Sequence, residues 1–447
     1  MMSEKTISEF LANDYKEFAM YVIEGRAIPS VIDGFKPTQR KIIHVSSQIW
    51  KTGTEKTPKV FQLGGKVASD AFYHHGNASL ENAIITMAQK FKNNAPLLEE
   101  EGQFGSLRSP QAGAPRYIGT KLTPNFRLIY KDFELLEYKE EEGESIEPKF
   151  FLPIVPAVLL NGSQGIAVGF ASNILNRDIR DLIDCCGKIL QGKKITDVKP
   201  SLTGFTGDFI QDPENNKRWI IRGKFERQNT STVKITELPP SMTYEKYEEV
   251  LDKLVEDKII VSYDDNCKDN IDYTIKFTRI DLEKLDDEKL IKVLKLEETS
   301  TEIYSTLDEF GKLKIFDTVA DIITYFVNFR LTYYHKRKEF LLSKMNGDLK
   351  LLSNRGRFIK AILDEKLKVN NVPKTEIVSG IEALNLEKID DSYDYLLRMP
   401  IYSLTKEMFE KLKEDFKLKK EEITQLEATD PKDMYLGDLS ELKKKFK

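Results

Sequence analysis

Apolar residues recur at helical spacing from residue 7 to 23. Phe10, Leu11, Tyr15, Phe18, Ala19 and Val22 share one side of a predicted helix opened by Ser8. Pro29 and the Asp33-Gly34 pair interrupt the pattern. Pro37 then starts a second predicted helix, with Ile42, Ile43 and Val45 on its apolar face. Residues 59–73 and 79–92 read as two more helices, parted by His74-His75-Gly76-Asn77. Short helices joined by a glycine turn and flanked by Lys and Arg predict a helix-turn-helix or winged-helix module.

Further on the periodicity changes. Phe151 to Gly169 reads as buried strand, tight loop, buried strand, with the glycine-flanked run Asn161-Gly162-Ser163-Gln164-Gly165-Ile166 as the loop. From about 175 to 310 the pattern is mixed α/β. Thr232-Val233-Lys234-Ile235-Thr236 alternates as a strand that stops at Pro239-Pro240, Tyr244 to Glu256 is helical, and Tyr273 to Phe277 alternates again. From Asp317 a long helix begins, with Val319, Ile322, Ile323, Phe326 and Tyr333 in register and room to run past Leu341 and Met345. A second long helix covers about 405–427, where Phe409, Leu412, Phe416, Ile423 and Leu426 form a heptad seam. Two long helices around a small globular stretch at about 360–400 fit an antiparallel coiled-coil arm with a knob at its tip, and fit a plain helical bundle equally well.

With 447 residues the chain exceeds one core, so two to four domains are expected. It contains no run of eighteen apolar residues, which excludes a helical membrane span, and no signal-peptide pattern precedes residue 10. Cys185, Cys186 and Cys267 have no metal-binding spacing and are too few for a disulfide framework, as expected of a reducing, cytoplasmic setting. Net charge is −4, unevenly placed: residues 24–66 carry eight Lys and Arg against three acids, while residues 132–147 are acidic. A basic surface on an acidic protein can steer a polyanion to one place.

The chemistry-bearing segment follows Gly102-Gln103-Phe104-Gly105: Ala114-Pro115-Arg116-Tyr117-Ile118 sets a tyrosine beside an arginine. A phenol titrates near pH ~10 and is a poor nucleophile at neutrality. An adjacent guanidinium favours phenolate and can clamp a phosphate oxygen with two parallel hydrogen bonds. Such a pair on a turn could attack a phosphodiester. Taken by itself it could equally be a turn whose tyrosine packs its ring.

The motifs in order resemble the DNA breakage-reunion subunit of type IIA topoisomerases (gyrase A/ParC-like). Those motifs are Gly25-Arg26-Ala27-Ile28-Pro29 with Asp33-Gly34-Phe35-Lys36-Pro37 and Gln39-Arg40-Lys41, then Tyr73-His74-His75-Gly76, the Gly102–Gly105 and Pro115-Arg116-Tyr117 segments, Asn161 to Ile166, Thr236-Glu237-Leu238-Pro239, and Asp394 to Ile401. The His-His turn and Ala-Pro-Arg-Tyr are similar to the eukaryotic enzymes. The absence of fused ATPase and Toprim regions resembles the bacteriophage branch, T-even type. Ala78 and Asn82 depart from the bacterial pattern at positions tied there to quinolone contact.

The resemblance implies a multidomain α/β fold with large α content. Its expected parts are an N-terminal helical arm (1–28), a winged-helix DNA-gate domain with the catalytic tyrosine (29–160), an α/β tower domain (161–315), and a long antiparallel coiled coil with a small globular C-gate (316–447). It implies cleavage and religation of duplex DNA in an ATP-dependent type IIA topoisomerase, an isomerase. Tyr117 would be the nucleophile forming a 5′-phosphotyrosyl link, and Arg116 would stabilise the transition state. Arg40, His74 and His75 would contact the phosphate, Arg26, Lys36 and Lys41 the DNA backbone, and Ile166 would wedge between base steps. Mg2+ and ATP would be held by ATPase/Toprim partner subunits, with no metal ligands in this chain. The assembly would be a homodimer on double-stranded DNA, away from membranes, in the host bacterial cytoplasm. A type IB or recombinase-like tyrosine enzyme, linked to the 3′ phosphate, and a non-catalytic DNA-binding scaffold are the competing readings.

Overall fold

The computed structural model describes residues 6–50, 56–268, 270–389 and 391–446, with the side chain of Ser8 outside that set. The chain divides into two compact units, Met1–Arg330 with Leu436–Lys447, and Leu331–Tyr435.

In the first unit the N-terminal helix starts at Ile7, one residue before the predicted Ser8 cap, and runs to Ala27 with wider π-type turns at Leu11–Tyr15 and Ile23–Ala27. Its apolar stripe is not a core face in this chain: Phe10, Leu11, Tyr15 and Phe18 are all exposed, and burial begins at Ile23. Three helices follow, Pro37–Ile49, Val60–Asp70 and Asn77–Ala88, mutually packed through Ile42, Ile43, Leu63, Val67, Leu80 and Ile84. Pro37 opens the first, where its missing N–H is no loss. The second stops at Asp70, short of the predicted 73, ahead of the His74-His75 turn, and the third runs from Asn77 to Ala88 rather than over 79–92, ending where Gln89 turns to the Phe104 carbonyl. An antiparallel hairpin, Tyr138–Glu141 with Glu144–Pro148, lies against the Pro37–Ile49 helix.

The stretch after Phe151 departs from the strand-loop-strand expectation. Leu152–Pro153 is a short strand, and Ala157–Leu160 is a fully buried helical turn. An unbroken apolar run does not distinguish a buried strand from a buried helical turn. Ser163–Ile166 then pairs antiparallel with Ala171–Ile174 in register Ile166 to Ala171, a hairpin closed by Ala167 N–H donating to the Phe170 carbonyl at 2.8 Å.

The mixed α/β region contains two antiparallel sheets. One runs in the order Ser262–Asp265, Tyr273–Lys276, Thr232–Glu237, Lys224–Arg227, and the other Glu297–Thr301, Asn215–Arg222, Asp208–Asp212. The four-stranded sheet buries Val233, Ile235, Tyr273 and Ile275 against the Tyr244–Glu256 helix through Tyr247, Leu251 and Leu254. Alternation along Thr232–Glu237 is what places Val233 and Ile235 on one face.

A single 45-residue helix, Val319–Leu363, carries the chain from the first unit into the second. Within the second unit it runs antiparallel to Lys406–Ala428. Lys338 near one end donates to the Glu427 and Thr429 carbonyls, both at 2.8 Å, while Arg355 and Met408 line one cavity at the other. The less exposed side of Lys406–Ala428 carries Phe409, Leu412, Phe416, Ile423 and Leu426, the predicted seam. Between the two helices Phe358, Leu367, Ile381, Leu386 and Leu396 form a small core. The C-terminal helix, Pro431–Lys445, was not predicted, and from Leu436 on it belongs to the first unit.

Candidate active site

The Arg116–Tyr117 turn hangs between two supports. On one side Glu101 and Gly119 exchange backbone hydrogen bonds of 3.0 and 2.8 Å. On the other, the N-terminus of the Val60–Asp70 helix faces it. The first amides of a helix have no acceptor within the helix, and here the turn's carbonyls supply two: Val60 N–H donates to Ile118 at 3.0 Å and Phe61 N–H to Pro115 at 3.2 Å. Tyr117 N–H closes the turn on the Ala114 carbonyl at 2.9 Å. Ile118 is buried behind the turn while Arg116 and Tyr117 point outward, and Tyr117 is 72 % exposed. The Arg116 guanidinium lies 5.8 Å from the Tyr117 ring centroid, at the outer range of a cation–π contact.

The preceding segment is pinned from below. Phe104 is buried, and Gln89 on the Asn77–Ala88 helix's C-terminal side donates to the Phe104 carbonyl at 2.7 Å. Gly105 has φ +85° and passes so close to Pro110 that a Cβ would lie 2.7 Å from its backbone, so only glycine fits. Arg108, buried, is ion-paired with Glu237 and donates to the Pro239 and Met242 carbonyls, both at 3.1 Å. That clip fastens the segment to the end of the Thr232–Glu237 strand.

The predicted phosphate-side residues separate into two groups. Arg26, His74 and His75 are exposed. His74 Nε2 is 3.1 Å from Glu141 Oε1, and His75 Nε2 is 3.3 Å from the Tyr21 hydroxyl. Both precede the Asn77–Ala88 helix, whose N-terminal amides favour an anion.

Arg40, Lys41 and Lys36 are placed otherwise than expected. Arg40 is buried and grips Asp33 through Nε at 2.7 Å and Nη2 at 3.0 Å. Burial alone would favour its neutral form; the facing Asp33 carboxylate outweighs that and holds the guanidinium more firmly charged. Lys41 donates to the Ala71 carbonyl at 2.5 Å and to Glu147 at 2.9 Å, with its side chain 14 % exposed. Lys36 donates to the Gln164 carbonyl at 2.6 Å, and burial pushes its pKa down. In this structure all three cations donate to protein acceptors, Arg40 from a buried position and Lys41 and Lys36 from half-buried ones. Among the remaining positives of the basic run, Lys56 and Lys66 are exposed and Lys59 half-buried, while Lys51 lies outside the described residues.

Ile166 ends the Ser163–Ile166 strand 84 % exposed, at the hairpin's tip. The base of that hairpin is fixed. A Cβ on Gly165 would fall 2.0 Å from the Ala27 carbonyl, and the Lys36 ammonium caps Gln164 beside it. An isoleucine held out on a clamped hairpin has no packing role among the described residues.

A profile of the family of DNA gyrase/topoisomerase IV A subunits matches residues 26–441. The chain belongs to that family. It is a type II DNA topoisomerase component of the cleavage–religation class. It is 34 % identical to the DNA topoisomerase medium subunit of Enterobacteria phage T4, over 99 % of this chain and 100 % of that protein. It is 33 % identical to DNA topoisomerase 2 of Plasmodium falciparum (isolate K1 / Thailand), covering 98 % of this chain and 34 % of that protein. The chain thus spans about a third of that enzyme's length. The crystal structure of the Plasmodium falciparum topoisomerase II DNA-binding, cleavage and re-ligation domain superposes with a TM-score of 0.83 at 33 % identity, over 98 % of this chain and 64 % of that one.

Sequence reasoning missed Asp33 as the partner of Arg40, Arg108 as the clip, and Lys59, which reaches the Tyr117 carbonyl at 3.0 Å. Asp33 and Glu237 lie inside motifs already singled out, so the signal was present as residue type without its partner. Among the described residues no group of three His, Cys, Asp or Glu side chains is set to hold a metal ion, and no helix is long and apolar enough to cross a membrane.

Proposed function

We propose that Tyr117 is the nucleophile with which this topoisomerase subunit opens and reseals duplex DNA. The observation that carries this is an outward tyrosine, with an arginine at its side, on a turn whose backbone is held from two sides. The phenolic oxygen attacks a backbone phosphorus. The bond from phosphorus to the 3′ oxygen breaks, the 5′ phosphate stays on Tyr117, and the phenolic proton is replaced on the departing 3′ oxygen. One phosphodiester is exchanged for another, so resealing is the same step reversed and needs no external energy.

Arg116 supplies two parallel N–H donors to the two non-bridging oxygens and offsets the charge that grows there. His74, His75 and Arg26 extend the cationic and donor surface along the backbone, a contribution blind to sequence and weakened by salt. Ile166 unstacks a base step, which costs a few kcal/mol and bends the duplex sharply. Because the described residues do not offer a divalent-cation donor set, no step is assigned to a metal on this chain. We place Mg2+ and ATP on ATPase/Toprim partner subunits, with the metal aiding departure of the 3′ oxygen when bound.

In this reading residues 1–28 are a helical arm, 29–160 a winged-helix DNA gate, 161–315 a tower, and 316–447 a coiled coil with a second gate. Two copies enclose the transported duplex, in the host bacterial cytoplasm.

The test mixes the full chain with supercoiled plasmid and Mg2+, with and without the partner subunits, and stops with detergent and protease. Expected are double-strand breaks with protein on the 5′ ends, dependent on the partner and abolished by Tyr117→Phe. Protein on 3′ ends would move the chain to another enzyme class. Breakage that survives Tyr117→Phe would remove Tyr117 from the mechanism.

A further inference from the structure

The Tyr117 side chain is largely in solvent, so packing around the ring does not set its direction. Its aim is inherited from the backbone of the turn, which makes the groups that hold that backbone part of the reaction geometry. Three donors from one short stretch reach the turn's carbonyls. Two are the backbone amides of Val60 and Phe61, on Ile118 and Pro115. The third is a side chain: Lys59 Nζ donates to the carbonyl of Tyr117 itself at 3.0 Å.

We propose that Lys59 is a positioning residue for Tyr117, holding the nucleophile's own carbonyl and thereby the direction in which the phenol is presented. The inference rests on Tyr117 being the nucleophile.

Three observations support this role. First, Lys59 is itself anchored. Its N–H donates to Gln62 Oε1 at 3.0 Å, its backbone bridges Gly119, and the next residue, Val60, is fully buried. The ammonium therefore acts from a fixed base, with its side chain half-buried. Second, a hydrogen bond from a charged donor is stronger than the neutral amide bonds beside it. It acts on the peptide plane between Tyr117 and Ile118, one of the two rigid units that flank the Cα bearing the side chain. Third, Arg40 and Lys41 of the basic run bond to the carboxylates of Asp33 and Glu147, whereas Lys59 bonds to the turn. A rotation of that peptide plane would swing the phenolic oxygen, at the far end of the side chain, away from in-line attack. Misplacement of about 1 Å lowers a rate by on the order of 10²-fold.

The experiment uses Lys59→Met, which keeps the stem and removes the donor, and Lys59→Arg, which restores one. In the DNA-free full-length protein, hydrogen exchange is followed at the amides of Tyr117 and Gly119. Exchange in Lys59→Met should quicken about tenfold, the factor that a hydrogen bond to a charged group represents, and return towards wild type in Lys59→Arg. In the complex with the partner subunits, the single-turnover rate of covalent adduct formation at saturating DNA should fall on the order of 10²-fold in Lys59→Met. DNA affinity should change by less than about threefold, as for one half-buried lysine already bonded to protein. Lys59→Arg should recover most of the rate.

Unchanged exchange in Lys59→Met overturns the proposal whatever the chemistry does. So does a parallel loss of affinity and rate with a shallower salt dependence, which would make Lys59 a phosphate contact. If exchange quickens but the wild-type complex forms no adduct dependent on the Tyr117 hydroxyl, the lock stands and the nucleophile assignment falls.

Discussion

Asp33 and Arg40 are joined by two hydrogen bonds inside the protein, Nε to Oδ2 at 2.7 Å and Nη2 to Oδ1 at 3.0 Å, and the same carboxylate receives the amides of Phe35 at 3.0 Å and Phe151 at 3.1 Å. The pair ties the entry to the Pro37–Ile49 helix to the start of the buried 151–160 stretch. Removing one partner strands the other charge away from water. Arg40→Ala should therefore destabilise the fold by about 3–5 kcal/mol, measured by urea denaturation. Where the variant remains folded, the slope of DNA affinity against salt should match wild type. A shallower slope would restore Arg40 as a phosphate contact.

Lys41, Lys139 and Glu147 give a pH signature. Burial of Glu147 works to raise its pKa, but the Lys41 hydrogen bond and the Lys139 and Lys41 charges prevail, and the net shift is downward. A carboxylate with a lower pKa folded than unfolded adds stability at higher pH. Its full contribution is present above the unfolded value of about 4.3 and is lost as pH falls through the depressed folded value. Wild type should lose stability over that window faster than Glu147→Gln, which has no proton to take up. Denaturation midpoints at stepped pH from 6 downward read the difference, and parallel curves would refute it.

What could be read in the sequence was residue type and local shape. Glycines around Gln164 and Ile166 marked a tight loop able to present one apolar side chain, and the structure places Ile166 at a hairpin tip. Tyr244–Glu256 matched its predicted span because its periodicity is complete and Thr243 caps it. The partners of the basic run were not legible for a physical reason. A lysine's charge is visible in sequence, but whether it faces solvent or a carboxylate depends on residues 7, 106 and 128 positions away, namely Asp33 for Arg40, Glu147 for Lys41 and Gln164 for Lys36. The N-terminal stripe shows the converse. Helical periodicity reports an apolar face without reporting what covers it, and in this chain Phe10, Leu11 and Phe18 are exposed.

The clamp beneath the hairpin separates stability from bending. Ile166→Ala removes an exposed side chain and should leave stability within about 0.5 kcal/mol, while reducing the bend of an end-labelled duplex read by energy transfer. Lys36→Met removes the cap on Gln164 and should also reduce bending, because the wedge loses its fixed base rather than its tip. Should Lys36→Met weaken DNA binding with full bending retained, Lys36 would be a backbone contact after all.

Arg108 and Glu237 link the segment that leads to Tyr117 to the four-stranded sheet, and the carboxylate's other partners make the pair asymmetric. Glu237 also receives the Thr206 amide and hydroxyl, both at 3.0 Å, so it remains partly satisfied if Arg108 is lost. Arg108 donates in addition to the Leu238 carbonyl at 2.9 Å and the Pro239 and Met242 carbonyls, so its guanidinium would keep acceptors but no counter-charge if Glu237 were lost. Glu237→Ala should then be at least as harmful as Arg108→Met, each costing about 3–5 kcal/mol as broken buried pairs do. Glu237→Gln, which keeps the shape and one acceptor, should be milder. Because the clip anchors the stretch leading to Tyr117 without itself being exposed, Arg108→Met at permissive temperature should slow adduct formation far more than it lowers DNA affinity. Equal losses in both would mean that the segment between Gly105 and Tyr117 binds DNA directly, and that the clip orders a contact surface rather than the nucleophile.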